Sequence, residues 1–271
     1  MPELPEVETT LRGVSPHLVG RRIMAVDIRE RRLRWPVPES IDAAVAGEPI
    51  EALERRAKYL LLMLPRGALI LHLGMSGSLR VIGTDEPALK HDHVDIQLAN
   101  NRTLRFNDPR RFGSIHFTRK PVTQHKLIRD LGPEPLSADF TAGYLHSTAR
   151  NRKTAIKSFI MNSRIVVGVG NIYASESLFL AGIHPARMAS RISLPRYEKL
   201  VSSIKQVLQA AIDSGGSTLN DFIQPDGQPG YFQHHFRVYG KSGQPCEQCH
   251  RPISQMTIGQ RSTFYCARCQ R

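Results

Sequence analysis

The sequence predicts an α+β chain of more than one domain, in which a β-rich first half opened by a short helix precedes a helical region and a small metal-held module. Three observations carry this reading. Apolar runs of strand length fill residues 59–106, a stripe of 3.6-residue period runs from Tyr197 to Ile212, and all four cysteines fall in the last 26 of 271 residues.

Val7, Leu11 and Val14 recur at i, i+4 and i+7 with Pro5 near the first turn, so a helix is expected from about Pro5 to a point before Gly20. Residues 59–64 and 68–73 are continuous apolar runs broken by Pro65-Arg66-Gly67, the pattern of a hairpin buried in a sandwich or barrel core. Residues 94–98 and 103–106 alternate around Asn100-Asn101, which reads as a two-residue turn joining strands with one dry and one polar face. At Leu131-Gly132-Pro133-Glu134-Pro135 two prolines end the β pattern, and a domain boundary is placed there. The expected division is 1–131, 132–224 and 225–271. Tyr197, Leu200, Val201, Ile204, Val207, Leu208, Ala211 and Ile212 form a helical stripe that stops at Gly215-Gly216, after which residues 215–230 read as a Gly, Pro and Asp-rich loop leading into the C-terminal module.

The formal charge of +13 and pI near 10.0 favour a polyanionic partner, because each phosphate neutralised releases counterions. The excess is spread along the chain: residues 21–34 hold six arginines against two acids, and residues 237–271 hold six basic residues against Glu247. Distributed charge suggests a folded binding face rather than a tail, the alternative being a basic surface kept for solubility. No run of 18 apolar residues occurs, and acids stand at the N-terminus where a signal peptide would carry lysines and an apolar stretch, so a cytoplasmic protein is expected.

Cys246-x2-Cys249, sixteen residues, then Cys266-x2-Cys269 is the spacing of a structural zinc site in which two tight turns each offer two thiolates to one ion. Redox dithiols or two disulfides are the alternative, disfavoured without secretion features. Four thiolates leave no open coordination position, so one structural zinc ion is expected. A module too small to bury a core and held by metal displays a rigid hairpin, and Arg261 lies between the cysteine pairs.

The chain begins Met1-Pro2-Glu3-Leu4-Pro5-Glu6. With Met1 removed, Pro2 is a free secondary amine beside two carboxylates at a helix start. An α-amino group of pKa about 7.8 is neutral far more often at pH 7 than a lysine of about 10.4, which favours the terminus as a nucleophile. A secondary amine that attacks an aldehyde-level carbon gives an iminium with no proton to lose, an electron sink suited to elimination. Glu3 is placed to protonate a sugar oxygen, and Glu6 to shield positive charge or bind the terminus. The bland alternative is that both acids merely complement a helix N-terminus.

Together the residues after the initiator (PELPEVE), RRAKYLLL at 55–62, LHLGMSGSLR at 71–80, NDPRRFG at 107–113, VVGVGNIYASE at 166–176 and the cysteine module resemble, in order and over the whole length, the bacterial formamidopyrimidine-DNA glycosylase family. The resemblance implies an N-terminal β-sandwich catalytic domain with an N-terminal helix, a helix-two-turn-helix domain and a C-terminal β-hairpin zinc finger. It implies a monomeric base-excision repair enzyme, associated with the nucleoid when acting and with no membrane partner. Such an enzyme excises 8-oxoguanine and formamidopyrimidines from double-stranded DNA and nicks the abasic strand by β,δ-elimination.

Carried over position by position, the resemblance makes Pro2 the nucleophile at the deoxyribose C1′, with Glu3, Glu6, Lys58 and Arg261 completing a catalytic set. Met75, Arg110 and Phe112 resemble residues that enter the base stack when the damaged nucleotide is everted, which is sensible because a planar or apolar side chain can fill the gap. Further DNA contacts are implied for His72, His91, Arg152, Lys157, Asn171 and Tyr239. Gly168-Val169-Gly170-Asn171 resembles the hairpin of the helix-two-turn-helix element, whose glycines let backbone N–H groups approach a phosphate. Two rivals remain: an endonuclease VIII-like glycosylase for oxidised pyrimidines, against which PELPEVE and NDPRRFG argue, and a non-catalytic zinc-ribbon DNA-binding protein, against which Pro2, Glu3 and Glu6 argue.

Overall fold

The structure, a computed structural model, describes residues 2–217 and 232–271; Met1 and all but the first three residues of the expected 215–230 loop lie outside the described residues. The chain separates into two compact units. One takes in the residues up to Asp130 and the described residues from Ser214, the other Leu131–Asp213 with Phe232–Arg271.

The first unit opens with α1 (Leu4–Leu18), which turns Leu4, Val7, Val14 and Leu18 into the core and carries a proline in its first turn, where the missing N–H costs nothing. Two antiparallel four-stranded sheets follow, ordered β1-β6-β7-β5 and β2-β3-β4-β8. Their strands are β1 (Ile23–Ile28), β2 (Ala52–Arg56), β3 (Tyr59–Leu64), β4 (Gly67–His72), β5 (Ser78–Gly83), β6 (Asp92–Leu98), β7 (Arg102–Asn107) and β8 (Ser114–Thr118), with the short α2 (Ile41–Val45) between β1 and β2. Leu60, Leu62, Leu69, Leu71, Val94, Ile96, Leu104 and Phe106 join Val7, Val14 and Leu18 in one apolar cluster, so the sandwich reading of the apolar runs holds and the barrel reading does not. No helix among the described residues is long and apolar enough to cross a membrane.

Two details differ from expectation. Leu98 pairs with Arg102, so the β6–β7 loop is three residues, Ala99 to Asn101, rather than two. Only Asn101 adopts positive φ (55°), as a three-residue hairpin requires of its last position. The polar face of that hairpin is also buried rather than wet. Arg105 donates Nε to Asp95 Oδ1 at 2.9 Å and Nη2 to Asp95 Oδ2 at 2.8 Å, and its remaining donors reach the carbonyls of Glu86 and Pro87. Burial alone would raise the Asp95 carboxyl, but hydrogen bonds from Arg105 and Arg29 outweigh it and hold the group below the usual carboxylate range.

The second unit contains α3 (Ala142–Thr148), α4 (Ile156–Ile160), α5 (Asn171–Leu180), α6 (Leu194–Asp213) and the hairpin β9 (Ser254–Ile258) with β10 (Arg261–Tyr265). All eight apolar residues of the expected stripe are buried on α6. Phe179 of α5 packs with Val238, Ile253, Cys246 and Cys266, so the cysteine module shares a small core with the helices.

Because Arg105 is almost wholly enclosed and Arg29 is about one-third exposed, their ion pairs with Asp95 differ in weight. Arg105→Ala, which strands a buried carboxylate, should cost about 3 kcal/mol in urea unfolding against under ~1 kcal/mol for Arg29→Ala. Equal losses would show that the enclosed pair carries no special burden.

Candidate active site

The start of α1 is built by two carboxylates that exchange bonds with the backbone. Glu3 is the N-cap, its side chain accepts the backbone N–H of Glu6, and Glu6 Oε2 accepts the backbone N–H of Glu3 at 2.8 Å. Glu6 Oε1 accepts two further bonds, from the Ser217 N–H at 2.9 Å and the Ser217 hydroxyl at 2.8 Å. Pro2, Glu3 and Glu6 are all buried. Both oxygens of Glu6 are therefore engaged in holding Glu3 and Ser217. Gly216, at φ +80°, brings the backbone against the Glu6 side chain, where an added Cβ would sit 3.4 Å from Glu6 Cγ.

Glu8 ties the helix to the β2–β3 hairpin by accepting from Arg55 Nε at 2.8 Å. Arg56 pairs with Tyr59, leaving Ala57 and Lys58 as a two-residue turn with Ala57 at φ 55°. Tyr59 faces His72 across β3 and β4, with ring centroids 4.9 Å apart. Burial, reinforced by the charges of Lys58 and Arg34, drives His72 down to about 4. His72 is thus neutral at physiological pH, and its Nδ1 accepts the Gly74 N–H at 2.9 Å. Lys58 and Arg34 form a cationic corner against the neutral His72 ring; in the sequence Arg34 is one of several arginines in a run, and nothing there distinguishes it.

Met75 sits at the tip of a tight turn closed by Gly77 N–H to Leu73 O at 2.8 Å. Arg110 and Phe112 lie on the β7–β8 loop, both exposed, with the guanidinium 4.9 Å from the ring centroid. The structure brings these three together through their loops. His91 meets the Arg110–Phe112 loop through its backbone, its carbonyl accepting the Asp108 N–H at 3.0 Å while its ring lies 6.4 Å from that of His93; in the second unit Arg152 stands exposed in the turn between α3 and α4.

In the second unit Asn171 is the first residue of α5, after Gly170 at the N-cap and Gly168 at φ +78°. Its Nδ2 donates to Ser262 O at 3.1 Å. Lys157 is buried, and its ammonium donates to the same carbonyl at 3.1 Å and to Thr263 Oγ1 at 2.7 Å. Both residues expected to reach DNA therefore also hold the hairpin strand that begins with Arg261. Arg261 itself is exposed, immediately after the turn Gly259-Gln260, whose φ values of 55° and 60° set a tight two-residue connection. Tyr239 stacks edge-on to Phe264 at 5.2 Å, and its N–H, with those of Arg237 and Val238, is accepted by the buried Glu176 carboxylate. Glu176 gives no sequence signal beyond standing at the end of NIYASE.

The four cysteine Sγ atoms lie within 4.8 Å of one another. Backbone N–H groups of Gln248 and Cys249 are directed at Cys246, and those of Arg268 and Cys269 at Cys266, the arrangement that stabilises thiolates over thiols. Each pair closes as a small turn, with His250 N–H donating to Cys246 O and Gln270 N–H to Cys266 O. This donor set fits one tetrahedral zinc ion, with Cys246, Cys249, Cys266 and Cys269 as ligands.

Models of the formamidopyrimidine-DNA glycosylase N-terminal domain, of the corresponding H2TH domain and of a zinc finger found in FPG and IleRS match residues 1–115, 131–223 and 243–271. The chain is 58% identical to the formamidopyrimidine-DNA glycosylase of Alcanivorax borkumensis over all of both sequences. It is similar to the crystal structure of the MutM (FPG) protein of Thermus thermophilus (TM-score 0.89, 37% identity, 99% of this chain and 98% of that one). It is also similar to the wild-type Lactococcus lactis Fpg (MutM) protein in complex with DNA containing N7-benzyl-Fapy-dG (TM-score 0.92, 33% identity, all of both chains).

Two measurements check this site. Metal analysis should find one zinc per chain and Cys249→Ala should lose it; full zinc retention in the variant contradicts a four-thiolate centre. The unfolded chain protonates His72 near pH 6.5 and the folded chain only near 4. The stability that neutral His72 contributes is therefore intact above about pH 6.5 and withdrawn as pH falls toward 4. NMR should find the ring neutral at pH 5.5, and a midpoint near 6.5 would contradict the enclosed, cation-flanked placement.

Proposed function

The chain belongs to the formamidopyrimidine-DNA glycosylase family, and from that membership we propose that Pro2, freed by removal of Met1, is the nucleophile with which it excises oxidised purines from duplex DNA. The chain is a base-excision repair glycosylase and abasic-site lyase with a structural zinc ion. The observation that supports the residue assignment best is the pair of buried carboxylates at the start of α1, with Glu6 fixed on both oxygens and Glu3 held beside Pro2.

In this reading the Pro2 lone pair forms a bond to the deoxyribose C1′ as the bond to the base breaks, and the departing base takes up a proton. Glu3 protonates the ring oxygen, the sugar opens, and the iminium between Pro2 and C1′ acidifies the neighbouring C2′–H. Loss of that proton expels the 3′ phosphate, and a second elimination expels the 5′ phosphate. Glu6 acts by holding Glu3 and Ser217 in place, and its negative charge stabilises the cation as it forms. Lys58 offers a positive charge to the lesion strand beside the neutral His72; Met75, Arg110 and Phe112 fill the stack vacated by the everted nucleotide, with Arg110 donating to the orphaned cytosine. Arg261, Asn171, Lys157, Tyr239, Arg152 and His91 serve the same DNA, several of them through the β9–β10 hairpin. The site of action is the cytoplasm, at the nucleoid, with the chain working as a monomer divided functionally at about residues 131 and 224.

Borohydride added during turnover of an 8-oxoguanine duplex should trap the protein covalently, with the modification mapping to Pro2, and Pro2→Gly, which leaves a primary amine, should cut the trapped yield about tenfold or more. Attachment to a lysine instead, at unchanged yield in the variant, would overturn the assignment.

A further inference from the structure

The loops bearing Met75 and Arg110–Phe112 are joined by a residue the mechanism has not used. Asp108 is fully buried, and its side chain accepts the Ser76 hydroxyl at 2.8 Å through Oδ1 and the Gly113 N–H at 2.7 Å through Oδ2. Ser76 Oγ in turn accepts the Arg110 N–H at 3.3 Å. The Asp108 carbonyl takes the Arg111 N–H at 3.1 Å and contacts His93 Nε2 at 2.8 Å, while its own N–H reaches His91 O at 3.0 Å. One side chain, two positions before Arg110, thereby joins the residue immediately after Met75 to the residue immediately after Phe112.

The glycines around it leave no slack. A Cβ on Gly74, at φ +66°, would lie 2.4 Å from both Gly113 N and Phe112 C, and one on Gly113 would lie 2.7 Å from His72 O and 3.0 Å from Asp108 Oδ2. The two loops are thus in backbone contact and cross-linked by a buried carboxylate. A buried carboxylate that lost one of its partners would carry an uncompensated desolvation cost, so the arrangement resists being pulled apart.

We propose that Asp108 is a positioning residue that sets Met75, Arg110 and Phe112 as one preformed wedge before DNA arrives, so that eversion needs no ordering of these loops. The proposal rests on the reading of those three residues as the ones that enter the base stack. Ordering the wedge in advance removes a conformational cost from the eversion step and leaves the amine chemistry untouched.

The experiment compares the full-length zinc protein with Asp108→Asn and Ser76→Ala on two duplexes, one with 8-oxoguanine beside a 2-aminopurine reporter, the other with a preformed abasic site that has no lesion base to unstack. Asp108→Asn should slow the 2-aminopurine rise and base excision by roughly tenfold while slowing abasic-strand cleavage less than about threefold, and Ser76→Ala should act in the same direction more weakly. Equal slowing of excision and abasic cleavage, with an unaltered fluorescence rise, would overturn the proposal by showing that Asp108 only supports the fold. If Asp108→Asn does not fold, an unchanged ratio in Ser76→Ala overturns it equally. Phe112→Ala separates the two layers. A ratio shifted by Phe112→Ala but by neither other variant sinks the positioning role alone, and no shift in any variant sinks the wedge reading beneath it.

Discussion

The two oxygens of Glu6 join three stretches of chain: the helix of which it is part, the residue that precedes that helix, and Ser217, 211 positions further along the sequence. A helix N-terminus has N–H groups without intrahelical partners, and meeting them with carboxylates at N-cap and N3 fixes both the helix start and the direction from which the chain enters. Pro2 is placed by that entry. A terminal amine on an ordinary frayed terminus would sample many positions, whereas one attached to a reciprocally bonded pair of buried acids begins from a single one. The apolar cluster of α1 and the two sheets holds the helix, and the Glu8–Arg55 pair docks it on the hairpin that presents Lys58.

The second unit solves a related problem, presenting an exposed arginine on a short hairpin, by the same means. Lys157 and Asn171 share the Ser262 carbonyl, and Gln270 accepts the Cys266 N–H while donating to Ile183 O. Glu176 gathers the three N–H groups of residues 237–239 that lead into the module. Buried polar groups are worth keeping only if their partners are in place, so each of these side chains ties the zinc hairpin to the helices in a defined setting. The zinc ion supplies the crosslink that a two-stranded hairpin with so small a core lacks.

Patterns with a local cause are legible in the sequence. The α6 stripe, the paired apolar strands and the CxxC pairs each follow from a period or spacing, and the structure has each of them in place. The β6–β7 turn differs by one residue because two asparagines suggest a type I′ turn, while pairing of Leu98 with Arg102 leaves Ala99 in the loop. The dry and wet faces of that hairpin are legible only in half, since nothing local says that residues 86 and 87 fold over Arg105 and accept its bonds. The same limit hides Asp108, which in Asn-Asp-Pro reads as a turn former, and Ser217, whose partner Glu6 is 211 positions away. Lys157 carries no mark of an enclosed ammonium. Such roles depend on long-range partners, and a single sequence carries no record of which distant groups meet.

The central claim, that a free proline nitrogen held by these carboxylates performs the chemistry, is tested most directly by determining intact mass and single-turnover excision on one sample. The account predicts a chain lighter by its initiator methionine, with the fraction so processed matching the fraction active on 8-oxoguanine duplex. A chain that keeps Met1, its Pro2 nitrogen locked in an amide, and excises at full rate would contradict it.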